Sequence, residues 1–263
     1  MLEIHAFTLV KSRLCVLKRL LSVSLIFLCL HLNTQLFADE EEFPVVEMTA
    51  SEMLAACINN LPQERLLLNG TLSVRRQRGI VTAEYPFKLD LNWGSKPSLA
   101  SCDLSPAVGT TNVVERVMMQ RTGSKSEIQH FSGPDLTAQP PPSLAGRVMG
   151  TDMTWLDLTL DFLWWPQARF DGEGSVLGRD CQIIVVTPPM PVPGCSAIRL
   201  WIDKRLHFLM QAEQLDPQAH PIRRMWVQRV KKTGDRWMIR DMEFETIGGN
   251  HRTRLFVDDL KVL

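Results

Sequence analysis

The chain has 263 residues, 45% of them hydrophobic, and 29 basic residues balanced by 29 acidic ones. A formal net charge of zero leaves no electrostatic footprint for a nucleic-acid phosphate backbone. The apolar share suits a globular domain with a real core, and nucleic acid is excluded as the expected partner.

The first element is a leader. Lys11, Arg13, Lys18 and Arg19 stand against a single acid, Glu3, and are followed by an apolar run of about 13 residues, Leu20 to Leu32. Ala38 offers a small residue at a cleavage point just before the acidic cluster Asp39 to Glu42. This pattern predicts a cleaved secretory signal peptide over 1–38, and with it a periplasmic location. An uncleaved anchor is the alternative, although the run is short of the about 20 residues a membrane-spanning helix needs. The mature part, 39–263, reads as a single domain. Cys15 and Cys29 fall in the leader, and Cys57, Cys102, Cys181 and Cys195 in the mature part. Cys181 and Cys195 flank a Pro-rich loop, where a disulfide and separate buried thiols are both compatible with the spacing. No CxxC or paired-His motif exists, so no metal site is expected.

Thr49 or Ser51 can cap a helix running to about Asn60, with Met53, Leu54, Cys57 and Ile58 on one side. From Arg65 onward, short segments rich in Val, Ile, Leu, Phe and Trp alternate with Gly, Pro, Asp and Asn. Strands are predicted at 65–76, 80–92, 111–121, 126–131, 168–177, 179–187, 196–204, 206–215, 221–231, 236–246 and 251–259. Connections this short force neighbouring strands to pair antiparallel. Two segments interrupt the pattern. Residues 132–146 are rich in Pro, Gly and Ser and predict a loop. Residues 151–165 predict a helix that Thr151 or Asp152 can cap, with Thr154 and Asp157 spaced as a capping box, Trp155, Leu158, Phe162 and Trp165 at helical spacing, and Pro166 as the stop.

Alternation is clearest towards the C-terminus. Leu206, Phe208, Met210 and Ala212 fall on one face; Met238, Met242 and Phe244 oppose Asp241, Glu243 and Glu245; and Thr253, Leu255 and Val257 oppose Arg252 and Arg254. Asp258 and Asp259 read as solvated or edge charges.

Motifs with catalytic meaning are missing: no GxSxG, HExxH, Walker or GxGxxG pattern occurs in a usable context. His130, His207, His220 and His251 are scattered over different predicted elements, and Asp157 and Asp161 suit capping and a solvated helix face better than acid–base chemistry. The basic groups Arg75, Arg76, Arg78 and Arg223, Arg224, Arg229, Lys231, Lys232 read as outward strand charges. The expectation is therefore a protein that is not an enzyme and uses no cofactor. The stock of 12 Met, 7 Trp and 11 Phe against one Tyr fits plain core packing, and equally an interior that accepts varied apolar partners.

Specific stretches carry a resemblance. Gly150 to Leu158 leads into Phe162-Leu163-Trp164-Trp165-Pro166; Gly178-Arg179-Asp180-Cys181 precedes a strand; Leu200 to Lys204 reads LWIDK; and Arg252-Thr253-Arg254-Leu255 lies near the end. Over roughly 50–260 the chain resembles the LolA-like outer-membrane lipoprotein-sorting proteins. The resemblance implies a mainly β fold: a strongly curved antiparallel sheet, an incomplete barrel, with helices 49–60 and 151–165 covering its concave face. It implies a periplasmic carrier of lipoprotein acyl chains or another lipid-like ligand, with acylated lipoprotein or lipid as cargo and inner- and outer-membrane docking proteins as partners. Trp155, Phe162, Phe208, Met210, Met238, Met242 and Phe244 would line the hydrophobic cavity. Arg75 and Arg76 stand at the strand position of a lid-locking arginine. An envelope sensor that binds a signalling protein in place of lipid is the alternative that the same fold allows.

Overall fold

The computed structural model describes residues 48–76, 79–106, 114–233 and 236–263. The expected leader, its two cysteines and the starts of the predicted 111–121 strand lie outside the described residues. Helix α1 (Ala50–Asn59) opens on a capping box: Thr49 Oγ1 accepts from the Glu52 N–H and the Glu52 carboxylate accepts from the Thr49 N–H. Both orphan donors at the helix start are thereby satisfied. Its apolar side, Met53, Leu54 and Cys57, is buried.

Thirteen strands follow. The first six are β1 (Leu66–Arg76), β2 (Val81–Asn92), β3 (Ser98–Leu104), β4 (Glu115–Thr122), β5 (Lys125–Ser132) and β6 (Thr137–Gln139). After an irregular segment come β7 (Gln167–Val176), β8 (Arg179–Thr187), β9 (Ala197–Asp203), β10 (Leu209–Leu215), β11 (Pro221–Thr233), β12 (Arg236–Thr246) and β13 (His251–Val262). All pair antiparallel in one sheet of order 6-5-4-3-2-1-13-12-11-10-9-8-7. The two wings are meanders, joined in the middle where β1 pairs with β13 from Leu66↔Val262 to Arg76↔His251. The sheet is open, with β6 and β7 as its edges.

The sheet cannot be flat. Thirteen strands at about 4.8 Å spacing would span on the order of 60 Å. Yet Val117 of β4, Leu72 of β1, Phe244 of β12, Leu200 of β9 and Ile184 of β8 share one buried cluster with Leu54 of α1. Only a sheet curled around its apolar face brings these together. The incomplete barrel expected from sequence is therefore the fold. The curl needs close approaches: a bulge between Asn69 and Gly70 brings β1 so near β13 that a Cβ on Gly70 would lie 2.1 Å from the Phe256 carbonyl oxygen.

The predicted strands match closely, β8 to the residue. Two strands were not expected. β3 is built from Ser, Ala, Cys and Asp with only two leucines, so it lacks a β-branched signal. β6 is three exposed residues inside the predicted 132–146 loop.

Candidate functional site: a trough and its lid

The segment joining the two wings, Leu144 to Trp165, closes the concave side. It begins as a tight loop: the Leu156 N–H donates to the Leu144 carbonyl, Trp155 to Gly146, and Val148 to Met153. Thr154 and Asp157 then form the expected capping box and start helix α2 (Trp155–Thr159). The predicted helix to 165 is corrected here. Leu160 turns into the left-handed region at φ 51° and ends α2 after five residues; a 3-10 turn, Asp161–Trp164, follows. The break re-aims the chain, and Phe162 and Leu163 of the 3-10 turn are both buried in the main core.

Charged and polar groups fasten this lid at two places. At the first, Asp152 is fully buried against β12 and β13. Its carboxylate accepts from Thr246 Oγ1 at 3.0 Å and Thr253 Oγ1 at 3.3 Å and lies 2.6 Å from His251 Nδ1. Its backbone N–H donates to Thr253 Oγ1 at 2.8 Å. Arg223 of β11 reaches over the same point, donating to the Asp152 carbonyl and to Asp157 Oδ2. At the second, Arg121 of β4, only 3% exposed, donates to Asp161 Oδ1 at 2.6 Å. Ser126 Oγ donates to the same oxygen at 2.8 Å. The Arg121 guanidinium also lies 3.9 Å from the Trp164 ring centroid, and Trp93 stacks on Trp164 at 5.7 Å.

These fastenings correct several expectations. Arg75 and Arg76 are not the lid contacts; they sit opposite Arg252 and His251 at the end of β1 and make no hydrogen bond to the lid among the described residues. Arg223 is no outward strand charge, since β11 places it in line with buried Met225 and Val227. Asp161 is not on a solvated helix face but on Arg121. Asp157 does cap α2. Asp258 and Asp259 are exposed, though β13 runs on past them to Val262 in the middle of the sheet, not at its edge. One sequence signal could have found both arginines: Arg121 follows Val117 and Met119, and Arg223 precedes Met225 and Val227, all at the spacing of two that marks inward positions.

The expected lining residues divide. Trp155, Phe162 and Phe244 are buried in the main core, with Met238 and Met242 packed against it. Phe208 and Met210 belong to a second, smaller cluster with Cys181, Val176 and Val227. The expected shared face of Met210 and Ala212 is broken by a bulge between Leu209 and Gln211, which leaves Ala212 in the main core and Met210 in the other cluster. Leu206 lies outside the strand and is exposed. Met242 touches both clusters and links them.

The four described cysteines are free and buried. Burial pushes the thiols of Cys57 and Cys195 up to about 12 and raises those of Cys102 and Cys181. Such thiols are inert packing groups. His130 packs on the Trp155 ring at 5.7 Å, while His207 and His220 stand in separate loops. Among the described residues no group of His, Cys, Asp and Glu could hold a metal ion, and no helix is long and apolar enough to cross a membrane.

A family model that bears the description Uncharacterized protein matches residues 138–262. No curated protein matches the chain. Solved structures do. A DUF1329 family protein from Desulfovibrio piger superposes with a TM-score of 0.69 at 16% identity, covering 81% of this chain and 91% of its own. A putative outer membrane lipoprotein-sorting protein domain from Vibrio parahaemolyticus gives 0.68 at 12% identity over 81% and 92%. A LolA superfamily protein from Nitrosomonas europaea gives 0.64 at 12% identity over 82% and 94%. With an open antiparallel sheet curled around a lid, superposing over four fifths of its length on a LolA superfamily protein and on a putative outer membrane lipoprotein-sorting protein domain, this chain is LolA-like in fold.

Proposed function

We propose that this chain is a periplasmic carrier that holds a lipid-like ligand, such as lipoprotein acyl chains, between its curved sheet and the 144–165 lid, with no catalysis, as a part of outer-membrane lipoprotein sorting. The observation that carries this reading is the lid itself. It fills the concave side with Trp155, Leu156, Phe162, Leu163 and Trp165, all buried, yet among the described residues the ion pairs and hydrogen bonds that fasten it to the sheet gather at two places.

Energetics favour an exchange. Five large side chains at roughly 1.5–3 kcal/mol each contribute on the order of 10 kcal/mol to keeping the lid seated. An acyl chain of about 14 methylenes, at about 0.8 kcal/mol each, recovers a similar amount when buried. A ligand can therefore replace the lid side chains against the sheet without a large net cost. Phe244, Met242 and Met238 would then meet the chain from the sheet, and Trp155 and Phe162 from the lid. Met is suited to this because its flexible thioether repacks around varied shapes. In this reading Phe208 and Met210 extend the lining through Met242 into the smaller cluster.

The test is direct. The protein is purified from the periplasm, its organic extract analysed by mass spectrometry, and the delipidated protein titrated with a fluorescent fatty acid. Co-purified lipid and saturable uptake are expected. An extract free of lipid together with no uptake removes the carrier reading.

A further inference from the structure

The geometry points to an anion-binding point inside the trough, at Arg121, that selects amphiphiles with an acidic head group; this rests on the carrier reading and names its ligand class. Arg121 projects from β4 on the inward side, in line with Val117 and Met119, and is 3% exposed. Only Nη2 has hydrogen-bond partners among the described residues: Asp161 Oδ1 at 2.6 Å, the Thr159 carbonyl at 3.5 Å and, weakly, Met119 Sδ at 3.5 Å. Its Nε and Nη1 are buried with no partner among the described residues. A guanidinium is a rigid fork of five donors matched to two oxygens of a carboxylate or phosphate. Asp161 gives it one oxygen, so most of the fork is unused.

Both oxygen partners of Nη2, as well as the Trp164 ring, belong to the lid; the Met119 thioether belongs to β4 and carries no charge. Arg121 and Ser126 belong to the sheet. When the lid lifts and an apolar ligand takes its place, the sheet keeps a covered cation and a hydroxyl and loses the carboxylate that both contacted. A buried charge without a counter-charge is strongly unfavourable. A neutral apolar ligand does nothing for it. A chain ending in carboxylate or phosphate supplies two acceptors to the fork and a third contact to Ser126 Oγ, while the tail takes the place of the lid side chains. Asp161 is thus the closed protein's own substitute for the ligand head.

The experiment compares laurate, dodecyl phosphate, dodecanol and inorganic phosphate on the delipidated full protein by calorimetry, with Arg121→Gln and Asp161→Asn beside the wild type. Laurate and dodecyl phosphate are expected to bind wild type about tenfold or more tighter than dodecanol. Arg121→Gln, checked for folding by circular dichroism, brings laurate to parity with dodecanol. Asp161→Asn, which keeps Arg121, widens the ratio of laurate to dodecanol because the internal competitor is gone. Parity in the wild type, a ratio kept in folded Arg121→Gln, or a ratio that shrinks in Asp161→Asn overturns the assignment. Inorganic phosphate that displaces laurate as well as dodecyl phosphate does overturns the amphiphile in favour of a free anion. Binding of neither laurate nor dodecanol instead removes the carrier reading on which this rests, and equal binding of both leaves that reading intact while removing the anion point.

Discussion

Asp152 of the lid and Thr253 of β13 are bonded to each other twice: the Asp152 N–H donates to Thr253 Oγ1 at 2.8 Å, and that hydroxyl lies 3.3 Å from the Asp152 carboxylate. Both residues are fully buried. One hydroxyl thus satisfies a main-chain donor that has no other partner. Thr253→Val keeps the shape and β preference of the side chain and removes both of these bonds. It should cost about 1–3 kcal/mol, the penalty of a buried donor left unpaired. Thermal melts of the two proteins provide the check, and an unchanged Tm would mean the lid is not held here.

Arg223 should matter for lid closure as well as for stability. Its side chain is 12% exposed and its partner Asp157 16%. Arg223→Met retains the aliphatic stem, leaves the Asp157 carboxylate with its Thr154 donors but no counter-charge, and takes the guanidinium donor from the Asp152 carbonyl. A loss of about 3 kcal/mol is expected from breaking a mostly buried pair. Hydrogen exchange should speed up over 152–164 while β8 and β9 stay protected. Uniform acceleration across the sheet would assign Arg223 to general stability only.

The thiols should be silent in the native protein. Cys57 and Cys195, pushed to about 12 by burial, carry almost no thiolate at neutral pH, and all four are out of solvent. No labelling by an aromatic disulfide reagent is expected before denaturation, and four equivalents per chain in the described region after it. A reducing agent should leave the Tm unchanged. A drop in Tm on reduction would show that Cys181 and Cys195 are paired after all.

Acid should act through particular carboxylates. The Arg65 hydrogen bond holds Asp90 below its ordinary 3.8. At Asp203 burial alone would raise the carboxyl, but the Arg179 hydrogen bond with the Leu206 and Arg205 N–H groups outweighs it and the net shift is downward. For both, the unfolded chain takes up protons first as pH falls, so their stabilisation is whole above 3.8 and drains away through their lower folded values. Glu115 has the opposite sign. Burial raises its carboxyl above 4.5, and His130 at 3.8 Å offsets this only in part. It costs stability at neutral pH, and that cost fades as pH falls through its raised value towards 4.5. Glu115→Gln should therefore stabilise at neutral pH by on the order of 1 kcal/mol and be neutral once the wild-type group is protonated. Asp203→Asn should destabilise at neutral pH by on the order of 2 kcal/mol and lose that effect progressively as pH falls below 3.8 through the lowered value of the folded wild type. Melts of the three proteins across this range test both signs.

Period-two patterning made most of the sheet legible, because each strand of a sheet with one buried face must alternate. It located β8 at both ends and put Thr253, Leu255 and Val257 inside. The α1 and α2 starts were legible to within a few residues for a different reason: capping is local chemistry that needs no tertiary partner, with Thr49 or Ser51 offered for α1, and Thr151, Asp152 or the Thr154–Asp157 box for α2, where the structure selects Thr49 and Thr154. What the sequence concealed was tertiary. The bulge before Gln211 separates Met210 from Ala212, and no residue type announces it. The left-handed turn at Leu160 re-aims the chain so that Asp161 meets Arg121, a residue 40 positions away. Arg121 and Arg223 were readable as inward by register, but charge argued for the surface, and only the lid carboxylates show why a cation is tolerated there.

The seam between β1 and β13 has a consequence for how such a chain acquires its shape. Each wing is a run of hairpins between sequence neighbours and can zip early. The centre cannot: Leu66 must find Val262, across nearly the whole domain, before the two wings share one interior. Joining strands so distant is the slow kind of step in folding. Until the final strand is delivered the molecule is two half-shells with open greasy sides, so the last dozen residues act as the keystone that ends its exposure to aggregation.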